Sequence, residues 1–170
     1  MSVLLMAAFC LSVDDEPLLV VKTVAEAAKL NADSKRVMVV MRDYETLETV
    51  FQRVPKLRWL EIRHPGHEMS RKSFTLLAKF KKLEELHLNG DPRMNDKKFA
   101  ALGKLHRLKS LHLALPCPNF SDVRLASLGG LVSLKKLNMA GCRGNQVENE
   151  KKVWAAIKAG RMKRAKKKNK

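Results

Sequence analysis

A pair of histidines comes nearest to a metal-binding motif in this sequence. His64 and His67 enclose Pro65-Gly66 and are followed by Glu68. Imidazole and carboxylate groups bind zinc, but a site needs three or four such ligands. Because Pro-Gly is a turn-forming dipeptide, the pattern favours a turn over a metal site.

No catalytic motif accompanies these histidines. The sequence lacks the phosphate-binding patterns G-x-x-x-x-G-K-[S/T] and G-x-G-x-x-G, and it lacks the hydrolase patterns G-x-S-x-G and H-E-x-x-H. We therefore predict that the chain is not an enzyme and that it binds no metal ion or other cofactor.

Length and composition narrow the class of protein. The chain has 170 residues, 45% of them hydrophobic and 30% charged, which is enough for one domain with a buried core. No apolar run approaches the roughly 20 residues that cross a bilayer, so we expect no membrane span. Lysine and arginine number 34 against 17 acidic residues, a formal net charge of +17.

The charge is concentrated at the carboxyl-terminal end. From Lys158 onward the chain carries eight basic residues and no acidic one, and residues 161–170 lack the apolar spacing needed to pack. We expect a disordered basic tail there. Two interpretations stay open, an anchor for nucleic acid or an anionic surface and a solubilising end of the last helix. The candidate anion-binding residues are Arg161, Lys163, Arg164, Lys166, Lys167, Lys168 and Lys170.

The amino-terminal end and the cysteines bear on localisation. Residues 3–11 are apolar and have the length of a signal-peptide core, but no lysine or arginine precedes them. A secretion signal and a buried first element both fit, and the missing charge favours a cytoplasmic location over export. Cys117 and Cys142 lie 25 residues apart. Whether they pair is open, since free thiols suit a reducing compartment and a bridge would favour export.

An internal repeat predicts the architecture. Four segments share the form L-x-x-L-x-Φ, where Φ is apolar, and their first leucines are 26, 25 and 26 residues apart. The alternation at the end of the motif is typical of a half-buried strand. We expect a weaker fifth copy at residues 37–39. The four clear copies begin at Leu57, Leu83, Leu108 and Leu134.

The segments between the strands repeat as well. Each contains a favoured helix N-cap residue, Ser70, Asn95 or Ser121, followed by apolar residues at helical spacing. An apolar residue before each cap pairs with one five positions later, as in a hydrophobic staple. One repeat is therefore a strand, a loop, a short capped helix and a turn. Stacked copies would place parallel strands on one side and helices on the other.

These motifs resemble those of the leucine-rich repeat family, in its helix-containing bacterial or ribonuclease-inhibitor-like long form. The resemblance covers roughly residues 37–142. It implies an α/β fold, a short right-handed solenoid with parallel strands on the concave side and helices on the convex side. It also implies a protein partner, since members of the family mostly bind proteins. The family's asparagine or cysteine after each strand is met only by Cys142, while Pro65, Asp91 and Pro116 stand in the other repeats.

Helical caps are expected at both ends of the solenoid. Residues 17–30, PLLVVKTVAEAAKL, fit a helix begun by Asp15 or Glu16, and Trp154 would anchor a last helix. The predicted organisation is an apolar segment at 1–13, a helical cap at 14–34, repeats at 35–146, a capping helix at 147–160 and the basic tail at 161–170.

The variable side chains of the strands define a candidate partner-binding surface. Equivalent positions of parallel strands stack side by side, so Glu84 and Glu85 would lie beside Lys109 in a mixed-charge patch. The candidate residues are Arg58, Trp59, Glu61, Glu84, Glu85, His87, Lys109, Ser110, His112, Lys135, Lys136 and Asn138.

Aromatic side chains stand out on this surface. Trp59 is expected on an exposed face, as interface anchors are, although it could instead fold back over the first repeats. His87 and His112 would be neighbours on adjacent strands, and we expect them to be solvated rather than bound to a metal.

Two functions fit the sequence. The favoured one is a non-catalytic module, a monomer, that binds an unidentified protein through its concave strands. The alternative is a nucleic-acid or ribosome-associated protein that acts through the basic tail. Basic residues recur on and beside the helices, among them Lys82, Lys98 and Arg107, and they support the alternative, although such a face is usually only solvated.

Overall fold

The computed structural model describes residues 16–40, 43–64, 69–91, 93–114, 121–141 and 146–168, in which strands and helices alternate. The strands are β1 (Leu19–Val21), β2 (Arg36–Val40), β3 (Trp59–Arg63), β4 (Glu85–Asn89), β5 (Ser110–Ala114) and β6 (Lys136–Ala140). The helices are α1 (Val24–Ala28), α2 (Tyr44–Arg53), α3 (Arg71–Leu77), α4 (Asp96–Leu102), α5 (Asp122–Ser127) and α6 (Gln146–Lys168). A 3₁₀ turn, Leu128–Gly130, follows α5.

The six strands form one parallel sheet whose order is the order of the chain, from β1 to β6. Each strand pairs with the strand of the next repeat, and neighbouring helices contact one another in the same order. This is the α/β solenoid that the repeat predicts, so the expected fold class is confirmed. The weak copy at residues 37–39 is part of β2, also as expected.

Two rows of apolar side chains form the spine of the solenoid. The first row is Val37, Leu60, Leu86, Leu111 and Leu137, and the second is Val39, Ile62, Leu88, Leu113 and Met139. All are buried except Leu137, which is partly buried and packs against the core. The leucines of successive repeats therefore share one core, which leaves the alternate strand positions facing the other side of the sheet.

The helix starts confirm the predicted caps. The side chains of Ser70, Asn95 and Ser121 accept hydrogen bonds from the backbone N–H groups three residues later, at 3.1, 3.1 and 3.3 Å. Asp43 caps α2 in the same way, 2.8 Å from Thr46 N. Each cap satisfies a donor that the first helical turn leaves free, which fixes the point where the loop ends.

The amino-terminal cap differs from the predicted helix over residues 17–30. Leu19–Val21 forms β1 and pairs with β2, and a helix follows only at Val24–Ala28. Leucine and valine in succession fit a pleated strand, and the backbone groups of β2 offer that strand its hydrogen-bond partners. Thr23 then caps α1, 3.2 Å from Glu26 N. The cap is therefore a strand and a short helix.

The carboxyl-terminal cap is longer than predicted. α6 runs over 23 residues to Lys168, so the expected disordered tail from residue 161 is wrong for residues 161–168. Lysine and arginine have high helix propensity, and adding residues to an existing helix avoids the cost of nucleation. Lys170 lies outside the described residues.

α6 covers the last repeat through its first half. Val153 and Ile157 are buried, and Trp154 packs against the core as the expected anchor. A Cβ atom at Gly160 would lie 2.1 Å from Gly129 O, so glycine is needed for this helix to approach the 3₁₀ turn so closely.

Several predictions fall outside the described residues. They concern the apolar segment 1–13, the pairing of Cys117 with Cys142, and the loop with His67. Among the described helices, none combines the length and the apolar character needed to cross a membrane.

Candidate binding surface on the concave face

Three columns of side chains lie on the strand face opposite the apolar spine, which we call the concave face. The backbone pairing fixes the columns, because each residue stands opposite its equivalent in the next strand. The first column is Arg36, Trp59, Glu85, Ser110 and Lys136, the second is Met38, Glu61, His87, His112 and Asn138, and the third is Val40, Arg63, Asn89, Ala114 and Ala140.

A ladder of stacked side chains crosses the concave face on β2 to β5. The guanidinium carbon of Arg36 lies 4.9 Å from the centre of the Trp59 ring. That ring lies 5.1 Å from the ring of His87, which stacks on His112 at 5.2 Å. We call these four residues the ring ladder. Cation–π and ring contacts of this kind stabilise a fixed geometry.

Of the two interpretations that the sequence leaves open for Trp59, the exposed anchor is wrong. Its side chain is only 5% exposed, because Arg36 covers one side and His87 the other. Sequence reasoning missed Arg36 because its strand, β2, matches the repeat only weakly. The rings of His87 and His112, at the other end of the ladder, are half-buried.

Burial and neighbouring groups shift the pKa values of Glu85 and His112 on the concave face. His87 Nε2 lies 2.7 Å from Glu85 Oε1, and this hydrogen bond, opposed by burial, lowers the pKa of the Glu85 carboxyl. Burial and the neighbouring His87 lower the pKa of His112, against an opposing effect of Glu61. His112 therefore disfavours its charged form.

Glu61 is also less accessible than predicted. It is 7% exposed, and its Oε1 accepts hydrogen bonds from Arg63 Nε at 2.6 Å and from Asn89 Nδ2 at 2.9 Å. These contacts satisfy the buried carboxylate. Glu61 therefore supports the floor of the concave face and is not free for a partner.

A row of charges precedes the strands. Glu84 Oε2 lies 2.7 Å from Arg58 Nη2 and 3.0 Å from Lys109 Nζ. Burial raises the pKa of Glu84, but the hydrogen bonds from Arg58 and then Lys109 outweigh it, so the pKa is lowered. The predicted neighbourhood of Glu84 and Lys109 is confirmed, whereas Glu85 pairs with His87 instead.

The concave face is also exposed at β6. Lys136 and Asn138 on β6 and Lys135 just before it are exposed, and Ser110 on β5 is half-buried. No ion pair in the described part of the chain involves Lys135 or Lys136. This end of the surface therefore presents positive charge to solvent.

One buried pair was missed altogether. Lys98 Nζ lies 3.1 Å from Asp91 Oδ2, donates to Arg93 O at 2.9 Å and sits 5.5 Å from the centre of the Phe74 ring. Lys98 and Asp91 are each 2% exposed, so the expected solvated lysine is wrong at this position. Asp91 stands where the resemblance calls for a buried asparagine, which was the available signal.

The described residues contain no group of three or more His, Cys, Asp or Glu side chains that could hold a metal ion. His64 is buried at the end of β3, and its predicted partners His67 and Glu68 lie outside the described part. The concave face carries half-buried rings and flanking charges on a paired sheet.

No protein-family model matches the sequence, and no curated protein matches it. Among solved structures, the fold is similar to that of an internalin (InlF) from Listeria monocytogenes, with a TM-score of 0.52 and 15% sequence identity. The match covers 78% of this chain and 35% of the internalin, so the chain spans about a third of that protein's length. The internalin is a leucine-rich repeat protein, and at this identity the likeness supports a leucine-rich-repeat fold and nothing finer.

Proposed function

We propose that this protein is a non-catalytic binding module that takes up a protein partner on its concave face. The observation that supports this most is the ring ladder, whose half-buried His87 and His112 lie at the centre of the face. Protein interfaces commonly combine such a ring-bearing centre with a charged, solvated rim. Here the rim includes Lys109 and Lys136.

The rigidity of the surface favours binding. The ladder residues stand on paired strands, and neighbouring side chains already hold Trp59 and Glu61 in place. Because these groups lose little freedom when a partner docks, less of the contact energy is spent on ordering them. A protein partner therefore meets a preformed site.

The charges indicate what the partner presents. Lys135 and Lys136 are exposed at β6, while Glu85 is engaged by His87. A matching partner places acidic side chains over β6 and an apolar or aromatic group over the two histidines. Charges at the rim act mainly on association rate and salt dependence.

In this proposal the chain acts as a monomer, without catalysis and without a cofactor. We further infer that its repeats are of the helix-containing long form, bacterial or ribonuclease-inhibitor-like. The short helices α3, α4 and α5 between successive strands support that assignment.

A comparison of immobilised variants tests the proposal. Wild-type protein, His87→Ala/His112→Ala and the control Arg71→Ala/Lys72→Ala are exposed to an extract of the source cells. Retained proteins are quantified by mass spectrometry. Arg71 and Lys72 are exposed on α3, away from the concave face. At least one protein should be held by wild type and control and be lost from the ladder variant. If the ladder variant retains the same set as wild type, the concave face is not the binding surface.

A further inference from the structure

We propose a second binding surface, the basic edge, which binds the phosphate backbone of a double-stranded nucleic acid. The basic edge comprises the loops that lead into β2 to β6 together with the basic turns of α6. It adjoins the concave face at Lys109 and Lys135, which precede β5 and β6, but it does not depend on the function proposed for that face. Among its exposed cations are Lys81, Lys82, Lys104, Arg107, Lys163 and Arg164.

The loops of neighbouring repeats form one continuous edge. A cavity of about 650 Å³ brings residues of the loops before β2, β3 and β4 together with Arg107, from the loop before β5. A groove of about 310 Å³ continues from Arg107 to Lys81 and Lys104. His106 Nδ1 then lies 2.8 Å from Gly130 O, which ties this loop to the next repeat.

α6 continues the edge instead of leaving it as a free tail. Arg161 donates from Nε to Val132 O at 2.8 Å and from Nη2 to Leu134 O at 2.6 Å. Both acceptors lie in the loop before β6. Lys163 and Arg164 line a third groove with Val132. The basic end of the helix is thus held against the edge that the loops form.

The charge of the edge is largely uncompensated. Its acids are already engaged: Glu16 pairs with Lys35, Asp33 with Lys56, and Glu84 with two cations. The six cations named above are all exposed, and none of them forms an ion pair within the described residues. Free cations in a row attract a polyanion and release its counterions when it binds.

The geometry favours a duplex backbone over a single strand. Parallel strands lie about 4.8 Å apart, so the edge from β2 to β6 extends about 19 Å, which is between five and six base-pair steps of about 3.4 Å. Single strands are commonly held by bases stacked on aromatic side chains. Apart from Phe80, which is 2% exposed, the described loops of the edge contain no Phe, Tyr or Trp. Phosphate contacts without base contacts give sequence-independent binding.

A purely structural role for these cations is distinguishable from binding. Lys81, Lys82 and Lys104 follow the ends of α3 and α4, where positive charge offsets the helix dipole without any ligand. That role changes stability when the charge is removed. It gives no salt-dependent binding to a nucleic acid.

The test is the anisotropy of a fluorescein-labelled 20-base-pair DNA duplex, titrated with protein between about 50 and 200 mM KCl. Wild type should bind with a dissociation constant of about 1–100 µM. Lys82→Glu/Arg107→Glu should bind at least about tenfold more weakly, with a salt slope reduced by about 2. The control Arg71→Glu/Lys72→Glu makes the same change in net charge at the first turn of α3, and it should stay within about threefold of wild type. The neutral variant Lys82→Gln/Arg107→Gln adds no negative charge that could repel the duplex. It should also bind the duplex more weakly than wild type, but with a smaller loss of affinity than the glutamate variant.

Several results would contradict duplex binding at the basic edge. One is that wild type shows no binding to the duplex at the lowest salt, and another is that the edge and control variants lose the same affinity for it. The same holds if the single-stranded DNA binds more tightly than the duplex, or if polyglutamate or phosphatidylserine vesicles compete as well as unlabelled duplex does. If deletion of residues 162–170 abolishes binding while the Lys82 and Arg107 changes have no effect, the tail alone binds the duplex. His87→Ala/His112→Ala should bind the duplex as wild type does, which separates this proposal from the concave face.

Discussion

The imidazole of His87 stacks on that of His112, with the ring centroids 5.2 Å apart and the planes 24° from parallel. The two residues stand opposite each other in the pairing of β4 with β5. The stack is therefore a direct consequence of the repeat, which returns the same strand position once per turn of the solenoid. It places two titratable rings at the centre of the concave face.

His112 should make the stability of the protein depend on pH. The pKa of His112 is lowered from 6.5 by burial and by His87, so just below pH 6.5 the unfolded chain binds more protons than the folded one. The contribution of His112 to the free energy of unfolding should therefore be fully present above pH 6.5 and should be lost as the pH decreases below it. His112→Asn removes this contribution, so the variant should lose less stability than wild type between about pH 7.5 and 5.5, measured by urea unfolding. Equal losses in the two proteins would show that His112 is not held in this environment. Glu84 and Glu85, whose pKa values are lowered from 4.5, act below that window.

A second prediction tests the burial of Trp59. The chain has two tryptophans, and Trp154→Phe leaves Trp59 as the only one. Because Trp59 is 5% exposed whereas Trp154 is half-buried, acrylamide should quench Trp154→Phe less than Trp59→Phe, as Stern–Volmer slopes show. Trp59→Ala should cost about 3–5 kcal/mol of unfolding free energy, as large-to-small changes in a core do. If acrylamide quenches Trp59 readily and Trp59→Ala costs no stability, Trp59 is exposed and not buried.

Lys98 and Asp91 give a third prediction. Lys98→Met leaves the carboxylate of Asp91 buried without its cation, which should cost about 3–5 kcal/mol of stability. Lys98→Met/Asp91→Asn removes both charges and should recover part of that loss. The matched control is Lys97→Met, since Lys97 is exposed on the same helix, and its effect should stay within about 0.5 kcal/mol. Denaturant unfolding measures all three variants, and equal stability of Lys98→Met and Lys97→Met would contradict the buried pair.

A fourth prediction concerns the end of α6. Arg161→Ala removes two hydrogen bonds to the loop before β6, worth about 1.5–3 kcal/mol each when the donor is charged and less where solvent competes. The helical ¹³Cα shifts of residues 162–166 should move towards coil values in this variant. Lys158→Ala, at an exposed position of the same helix, should leave them unchanged. If these residues have coil shifts in the wild-type protein itself, the end of α6 is disordered and not helical.

The periodic features of this protein follow from its sequence. The leucines recur in phase, and a shared spine is the arrangement that buries all of them. Ser70, Asn95 and Ser121 mark the helix starts because each side chain bonds to its own helix. Such local and repeated interactions depend on spacing along the chain, which the sequence displays directly.

Features that depend on a particular neighbour do not follow in the same way. Residues 19–21 could enter a helix or a strand, and the backbone of β2 decides for the strand. Trp59 is covered by Arg36 from the weakest repeat. Lys98 reaches Asp91 across a loop, a contact that no periodic pattern reports. In each case the outcome depends on distances in the folded protein.

Site-specific photo-crosslinking tests whether a protein partner binds on the concave face. A benzophenone amino acid replaces Lys136, which is exposed on β6, or Lys72, which is exposed on α3, and living source cells are irradiated. Binding on the concave face should give a discrete protein adduct from position 136 that is absent from position 72 and disappears when His87→Ala/His112→Ala is added. The same adducts from both positions, or adducts from position 72 alone, would contradict it.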